Sequence, residues 1–507
     1  MTPTKAPAVS SDHDRITAIA GRPTDVELNP VSPQRNPSKG NDVDPSLVSF
    51  TSPTDPLNPK NWPTAKKWAV TDVLSATGFN RIMVSTIMAP ALATISHELE
   101  MSPTESAMAL SIYLLATAIG PLLIGPLSEI YGRKPILHGS NMWFLLWNLV
   151  CGFANTKELL IAARFLAGFG ASAIYALASG VLADVWRGQE RGRSLGAYLL
   201  IPLLGGAVGP IIGGFMAGRT TWRWMFWSTS IFQAVMILVS FSVFDETHAP
   251  TILKKQAEKL RRETGDPRYQ TVEEPLHENR SPLSVLGKAF TRPIRLLALH
   301  PIIQIHSLIS AFDYGILYIV LSTFSALWTD QYGVSVELSG LHYIAIALGE
   351  MAGSQITAFL MDRLYRRQSR LRTPQPESRL PLTLLRALMA PAGLFLYGWT
   401  TAHKLHWAIV DLGILIALFG LQSTGMPMQA YIIETYPEHI GSAAAASQLL
   451  RSLTAFCFPL FAPRMYTVLG YGWANSTLAF AGLVLGVTAP FVLWWFGERL
   501  RERMRES

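Results

Sequence analysis

Charge is scarce in this sequence. Of its 507 residues only 15% are Asp, Glu, Lys or Arg, while 49% are hydrophobic. A soluble protein carries about a quarter charged residues, so an ordinary soluble globule is excluded and lipid is indicated as the main solvent. Cysteine is scarcer still. The two present, Cys151 and Cys457, stand in apolar runs; two exclude a disulfide framework, and both read as small packing residues. A phosphate-cradling GxxxxGK[ST] is missing, which argues against an ATP-driven pump, and so are HExxH and a CxxC pair, so neither an enzyme, a metal nor a cofactor is expected. The net charge of +7 would by itself suggest nucleic acid. The basic residues gather in particular loops instead, which is the pattern of membrane topology, and no nucleic-acid partner is expected. An apolar signal segment is also lacking. Residues 1–65, rich in Pro, Ser, Asp and Asn, read as a disordered cytoplasmic tail. Its end, DPLNPKNWPTAKKW (55–68), reads as an interfacial lead-in, with Trp62 and Trp68 at headgroup level beside Lys66 and Lys67.

What the chain has is long apolar windows. About 20 such residues cross the hydrocarbon core. Twelve windows qualify: 68–92, 105–126, 136–155, 159–183, 193–216, 223–244, 297–326, 338–361, 382–401, 406–431, 441–466 and 475–496. The longest polar interruption, about 245–296, divides them six and six. The expected domains are the tail, an N-terminal bundle (66–245), a central loop (246–296), a C-terminal bundle (297–497) and a basic tail (498–507). One set of loops holds Arg133 and Lys134, then Arg187, Arg191 and Arg193, then LKKQAEKLRR, RLYRRQSRLR (363–372) and GERLRERMRES. The other set has little beyond Lys157, Arg219, Arg223 and Lys404. Positive charge stays inside, so both termini and the central loop are expected to be cytoplasmic. LKKQAEKLRR reads as an amphipathic helix on the inner leaflet. The second span ends in SEIYGRK and the eighth in MDRLYRR (361–367), an echo between halves. The expected fold is an all-α membrane protein of twelve transmembrane helices in two pseudo-symmetric six-helix bundles. Secondary transporters with such repeats bind near the midplane between them.

Residues 125–137 read GPLSEIYGRKPIL, a polar island between two apolar stretches. A loop this short must turn sharply, and Gly132 can take the positive φ required. Glu129 and, at the end of the fourth span, Asp184 are acids near helix C-termini, where they oppose the dipole. Both want a cation, and Arg133 is the candidate. An Arg133–Asp184 contact formed in one conformation would latch the cytoplasmic gate; a static topology anchor is the alternative. In the fifth span, GGAVGPIIGG (205–214) repeats Gly205, Gly209 and Gly213 on one helical face. Small residues at this spacing admit a neighbouring helix, and Pro210 kinks the helix.

GPLSEIYGRKPIL resembles the loop signature of the major facilitator superfamily, with Glu129 where the pattern prefers Asp. GGAVGPIIGG is similar to the antiporter signature gxxxGPxxGG at every defined position, through Gly205, Gly209, Pro210, Gly213 and Gly214. Arg164, in ARFLAGFG, stands where drug–proton antiporters carry an arginine. DPLNPKNWPTAKKW, STIMAPAL, WRWMFW, ETHAPTILKKQAEKLRRETG and SLTAFCFPLFAPRMY extend the resemblance to fungal twelve-span drug:proton antiporters, over about 55–500. It implies that the fifth-span signature seals the cavity against proton leak.

An ionisable group at the bilayer centre costs about 2.5–3.5 kcal/mol on insertion scales and so suggests function. Arg81, Asp313, Glu350 and Arg164 are the candidates. Arg81 with Asp313, or with Glu350, could face across the cavity, one carboxylate taking a proton in the cycle; a buried pair that only fixes packing is the alternative. Arg81 and Asp313 stand outside the family pattern. Cavity candidates are Asn80, Tyr113, Tyr175, Tyr314, Tyr318, Gln355, Gln422, Met426, Gln429 and Tyr431, a mix suited to an amphipathic organic molecule. Each alone reads equally as an interhelical contact, and His306 and His342 read as structural. Asn475-Ser476-Thr477 is a glycosylation sequon that lies close to the twelfth span, and Asn279-Arg280-Ser281 falls on the cytoplasmic side.

The expected activity is a monomeric proton-coupled antiporter in the plasma membrane, with the vacuolar membrane as the other location. It would export a small organic molecule (a drug, toxin or secondary metabolite) by alternating access. An importer or facilitator of a nutrient such as a polyamine or organic acid is the alternative. A sensor on a transporter scaffold would need a larger signalling domain than the tail or central loop offers.

Overall fold

The computed structural model describes residues 47–50, 52, 54–271, 282–369, 380–435 and 440–505, all within one unit that begins at Ser46. Helices dominate. The N-terminal half comprises α1 (Thr64–Thr86), α2 (Leu92–Glu98), α3 (Pro103–Tyr131), α4 (Arg133–Gly152), α5 (Lys157–Ala171), α6 (Ala173–Val185), α7 (Gly188–Arg219) and α8 (Arg223–Val243). Next come α9 (Ala249–Thr264) and α10 (Pro282–Leu299). The C-terminal half comprises α11 (Pro301–Ala326), α12 (Val336–Ser369), α13 (Thr383–Ala402), α14 (Trp407–Gln422), α15 (Gly425–Thr435) and α16 (Ile440–Arg505). Within α16, Gly470 leaves helical geometry at φ 67° and ψ 168°, so the run is two spans joined at a glycine. The pairs α5–α6 and α14–α15 are likewise single spans broken near their middle.

Eight of the described helices are long and apolar enough to cross a membrane. The first span falls short because α1 carries Thr71, Asp72, Ser75, Thr77, Asn80 and Arg81, most of them buried against other helices. The third begins Arg-Lys-Pro and holds His138, Asn141 and Asn148, all buried. Polar side chains that meet protein and not lipid are compatible with crossing. Leu146, Leu238, Leu388, Val468 and Trp495, by contrast, are more than half exposed, as a lipid-facing surface requires.

On the face of Arg219, Arg223 and Lys157 these three cations meet carboxylates. Lys157 Nζ lies 2.8 Å from Glu105, Arg223 bonds Glu98 at 2.6 Å, and Arg219 reaches Glu337 at 3.3 Å. Ser102 and Glu105 form a capping box at the start of α3. The other face, called the basic face below, carries Lys66, Arg133, Lys134 and the α9 segment LKKQAEKLRR.

Part of the stretch expected to be a disordered tail is structured. Leu47–Val48 (β1) pairs in parallel with Gln270–Thr271 (β2). A 3-10 turn at Pro59–Asn61 leads into α1. Lys66 lies 4.2 Å over the Trp62 ring, and Trp68 packs edge-on against Trp186 at 4.9 Å. The lead-in is therefore anchored on protein at the end of α6. LKKQAEKLRR does form a helix, within α9, where only Ala257 is buried. The Asn279 sequon lies outside the described residues.

Candidate transport site

Gly132 makes the turn between α3 and α4 with φ 97° and ψ 161°, a region open essentially to glycine. A β-carbon there would also strike the Glu246 carboxylate. That carboxylate accepts the Arg133 and Lys134 backbone N–H groups at 2.8 and 3.2 Å. It thus satisfies two of the orphan donors of α4 and complements the helix dipole. Arg133 Nε donates to Asp184 at 3.3 Å, its Nη1 donates to Ser128 at 2.6 Å, and Thr247 donates to Asp184 at 3.4 Å. Arg133 and Asp184 are brought together; Glu129 is exposed and makes no ion pair with Arg133. Glu246, unnoticed in the sequence, takes the organising place expected of Glu129. Its signal was an acid just past the sixth span, in DETHAP. Nearby, Asp245 bridges Lys66 at 2.6 Å and Lys134 at 3.4 Å.

The glycine face of α7 packs on α1. A β-carbon at Gly205 would lie 2.5 Å from the Phe79 carbonyl, and one at Gly209 would lie 2.8 Å from the Met83 carbonyl; at Gly213 it would meet the Ile87 carbonyl. Gly214 looks the other way, onto Val336 and Gly340 of α12, at 3.0 and 3.2 Å. So α7 sits between a neighbour in its own half and one in the other. Ser325 Oγ donates to the Pro90 carbonyl at 3.1 Å, and with Arg219–Glu337 it adds further contacts between halves.

The intramembrane arginines are enclosed in the N-terminal half. Arg164 is fully buried and donates to three backbone carbonyls, Val84 at 2.9 Å, Leu110 at 3.2 Å and Ala109 at 3.3 Å. Arg81 donates to the Gly170 carbonyl at 2.6 Å and to Asn141, and lies 4.9 Å over Phe144. These bonds staple α1 to α3, α4 and α5. Neither arginine forms an ion pair among the described residues, so the expected Arg81–Asp313 or Arg81–Glu350 contact is not made. Arg81 turns to carbonyls and an amide because α5 passes close enough at Gly170 to offer them. Tyr113 donates to the Arg81 carbonyl at 3.0 Å, and Asn80 bonds Thr229 and Gln233 of α8 at 3.1 Å. Both were expected in the cavity; both hold helices together instead.

A different set converges between the halves. Tyr175 of α6 keeps 39% of its surface accessible, yet stands within electrostatic reach of Tyr314 and Arg451 in the other half. A side chain flanked by both halves and still accessible is placed where a ligand between the halves would touch it. Tyr314 and Tyr318 are neighbours at 5.7 Å, and Tyr318 is within electrostatic reach of Glu350. Asp313 adjoins Tyr314 on α11 and is partly buried; Glu350 and Gln422 are partly buried and Gln355 is exposed. The side chains of Met426 and Gln429 lie outside the described residues, and Tyr431 is fully buried. His306 is buried. Arg451 was overlooked in the sequence, although an arginine in AAAASQLLRSLTAF is a charge in an apolar run. So was Asp411, which His342 meets at 2.7 Å while stacking on Trp328.

Two helical bundles that meet at a group of tyrosines and ionisable side chains, with ion pairs on both faces, have the plan of a membrane transporter. The sequence matches the Major Facilitator Superfamily over residues 74–459, and the chain belongs to that family. A protein named "Probable efflux pump mfs2" from Aspergillus flavus is 53% identical over 423 residues, 83% of this chain and 100% of that one. "Efflux pump vrtL" from Penicillium aethiopicum is 40% identical over 501 residues, 97% and 98% of the two chains. Among solved structures, the partially occluded inward-open xylose transporter XylE from E. coli aligns with TM-score 0.62 at 15% identity, over 85% of this chain and 99% of its own. The human organic anion transporter MFSD10 aligns with TM-score 0.57 at 16% identity, over 85% and 100%. At such identity these two share the fold alone.

Proposed function

We propose that this transporter exports a small organic molecule in exchange for protons, by alternating access of two bundles around the tyrosine-lined chamber. The observation that carries the reading is the α7 glycine face. It leaves no room for a side chain against α1, and Gly214 extends the same tight contact to α12. A seam that dry suits an antiporter, which must not leak protons between strokes. The relatives named efflux pumps support the outward direction. Glu350 and Asp313 are the proton carriers in this reading, since Arg81 and Arg164 already have partners in the N-terminal half. The Arg133–Asp184 pair, set by Glu246, holds the basic-face loop in one of the two states. That face is cytoplasmic, and the protein acts as a monomer in the plasma membrane. At 100 mV each proton charge moving inward supplies about 2.3 kcal/mol before any pH gradient.

The test is substrate-induced proton flux in sealed vesicles of known orientation, with a panel of lipophilic drugs and fungal-type metabolites. Counterflow of protons that Asp313→Asn or Glu350→Gln abolishes, with binding retained, is the expected result. Substrate moving down its gradient without a proton signal would make the protein a facilitator.

A further inference from the structure

The proposed export reading leaves the cargo open, and Arg451 narrows it. This arginine lies on α16, eleven residues past Ile440, in a run whose other residues carry no charge. A cation there is costly to bury unless something compensates it. Its two arginine counterparts in the first half are met by backbone carbonyls and an amide, although Arg81 Nε likewise has no acceptor. Arg451 is not held that way. Its Nη2 donates to Gln448 Oε1 at 2.6 Å, its guanidinium lies 4.2 Å over the Tyr314 ring, and its Nε is shielded from solvent with no acceptor. It takes part in no ion pair among the described residues.

The surroundings say what would complete it. Tyr314 already presents its face to the guanidinium, and Tyr318 follows it at 5.7 Å and 45°. Tyr175 closes the opposite wall from α6 with accessible surface still to cover. Aromatic faces and one under-satisfied guanidinium match a flat ring bearing an anionic oxygen. Resting on the export reading, we propose that the chamber binds aromatic acids, carboxylic or acidic phenolic. The anionic oxygen sits on Arg451 and the ring lies between Tyr314 and Tyr175. Gln448, the arginine's present partner, donates through Nε2 to Ser452 at 2.8 Å, and Ser452 meets Thr117 of α3 across the halves at 3.2 Å. An anion that draws Arg451 from Gln448 frees an amide oxygen in this chain. Binding is thereby tied to a contact that spans both bundles.

The experiment uses the full chain in lipid nanodiscs. Binding of 2-naphthoic acid and anthraquinone-2-carboxylic acid is measured by calorimetry against their methyl esters and against a naphthyl trimethylammonium cation. The acids are expected to bind about tenfold or more tightly than the esters. Arg451→Gln should erase the difference between acid and ester, and an unfolding temperature in the same nanodiscs close to that of the native chain shows that the variant folds; Arg451→Lys should keep part of the difference. Equal affinity of acid and ester, preference for the cation, no binding of the acids, or an acid preference that survives Arg451→Gln would each overturn the proposal. Vesicle transport separates this from the export reading. Outward pumping of esters or cations with no Arg451-dependent acid binding sinks the cargo assignment alone. Arg451-dependent acid binding without outward pumping sinks export alone.

Discussion

Gly206 and Gly209 are three residues apart on α7 and make opposite predictions. An added β-carbon at Gly206 would find nothing nearer than Ile82 Cγ2 at 3.6 Å, an ordinary contact. At Gly209 it would stand 2.6 Å from Thr86 Oγ1 and 2.8 Å from the Met83 carbonyl. The hydroxyl can rotate away; the carbonyl is backbone. Restoring an ordinary contact of about 3.4 Å requires α1 and α7 to part by about 0.6 Å. Alanine is a better helix former than glycine by about 1 kcal/mol, so Gly206→Ala is expected to be neutral or slightly stabilising. Gly209→Ala gains the same propensity and loses about 1–3 kcal/mol to overpacking. The difference between the two variants isolates the packing effect, because the backbone gain is common to both. Thermal unfolding of purified protein in one detergent gives the comparison, and passive proton entry into vesicles gives the functional counterpart. Gly209→Ala should unfold at the lower temperature and leak faster. If the two variants unfold together and are equally tight, the glycine face is not a packing seam.

Three further outcomes follow from other contacts. Arg133 and Asp184 keep 11% and 23% side-chain exposure. Breaking so enclosed a pair should therefore cost about 3 kcal/mol for Asp184→Asn, toward the lower end for a buried pair because Arg133 retains Ser128; the double variant Arg133→Gln/Asp184→Asn should lose less than the two single losses summed, and additivity in thermal unfolding would show there is no coupling. Glu98 is held below the usual carboxylate range first by its hydrogen bond from Arg223, then by the bond from Trp222, against an opposing effect of burial. A lowered folded-state pKa stabilises above the unfolded value of 4.5 and is lost as pH falls through the folded value, so the gap in unfolding temperature between the native chain and Glu98→Gln should be full at pH 7 and shrink on acidification below 4.5; a gap unchanged at low pH would refute it. Asn475 is fully buried, accepts from Tyr466 at 3.2 Å and donates to the Tyr471 carbonyl at 2.9 Å; the site has no room for a sugar on Nδ2, so glycosidase treatment should leave gel mobility unchanged.

How far the sequence can be read depends on what each inference needs. The all-α membrane fold and the turn at Gly132 follow from local composition, because a bilayer demands long apolar helices and a tight loop imposes one φ. The glycines of α7 were legible as a face for the same reason: helical spacing fixes which residues share a side. What spacing does not give is the direction of that side. Gly205, Gly209 and Gly213 needed α1 in place before they became a seam, and Gly214 needed α12. Cys457 read as a packing residue and proves exposed, the same uncertainty of facing in a single residue.

The charges show the limit most sharply. Depth in an apolar run identified Arg81, Arg164, Asp313 and Glu350 as costly to bury, which is sound. Pairing Arg81 with Asp313 assumed that opposite charges on equivalent helices would meet. The arginines instead found carbonyls where glycine or small residues bring a neighbouring backbone close, as at Gly170, and a carbonyl can compensate a guanidinium without any acid. Sequence alone shows acids as partners and conceals carbonyls, so it overstates salt bridges inside membranes. Arg451 is informative for the reverse reason. Carbonyls enclose Arg164 and help to hold Arg81, whose Nε also lacks an acceptor, but Arg451 is met by one amide and one ring and by no backbone carbonyl among the described residues. A cation left incompletely solvated by its own fold, beside Tyr314 and within reach of Tyr175 in the other half, is where the proposed substrate can supply what the protein withholds.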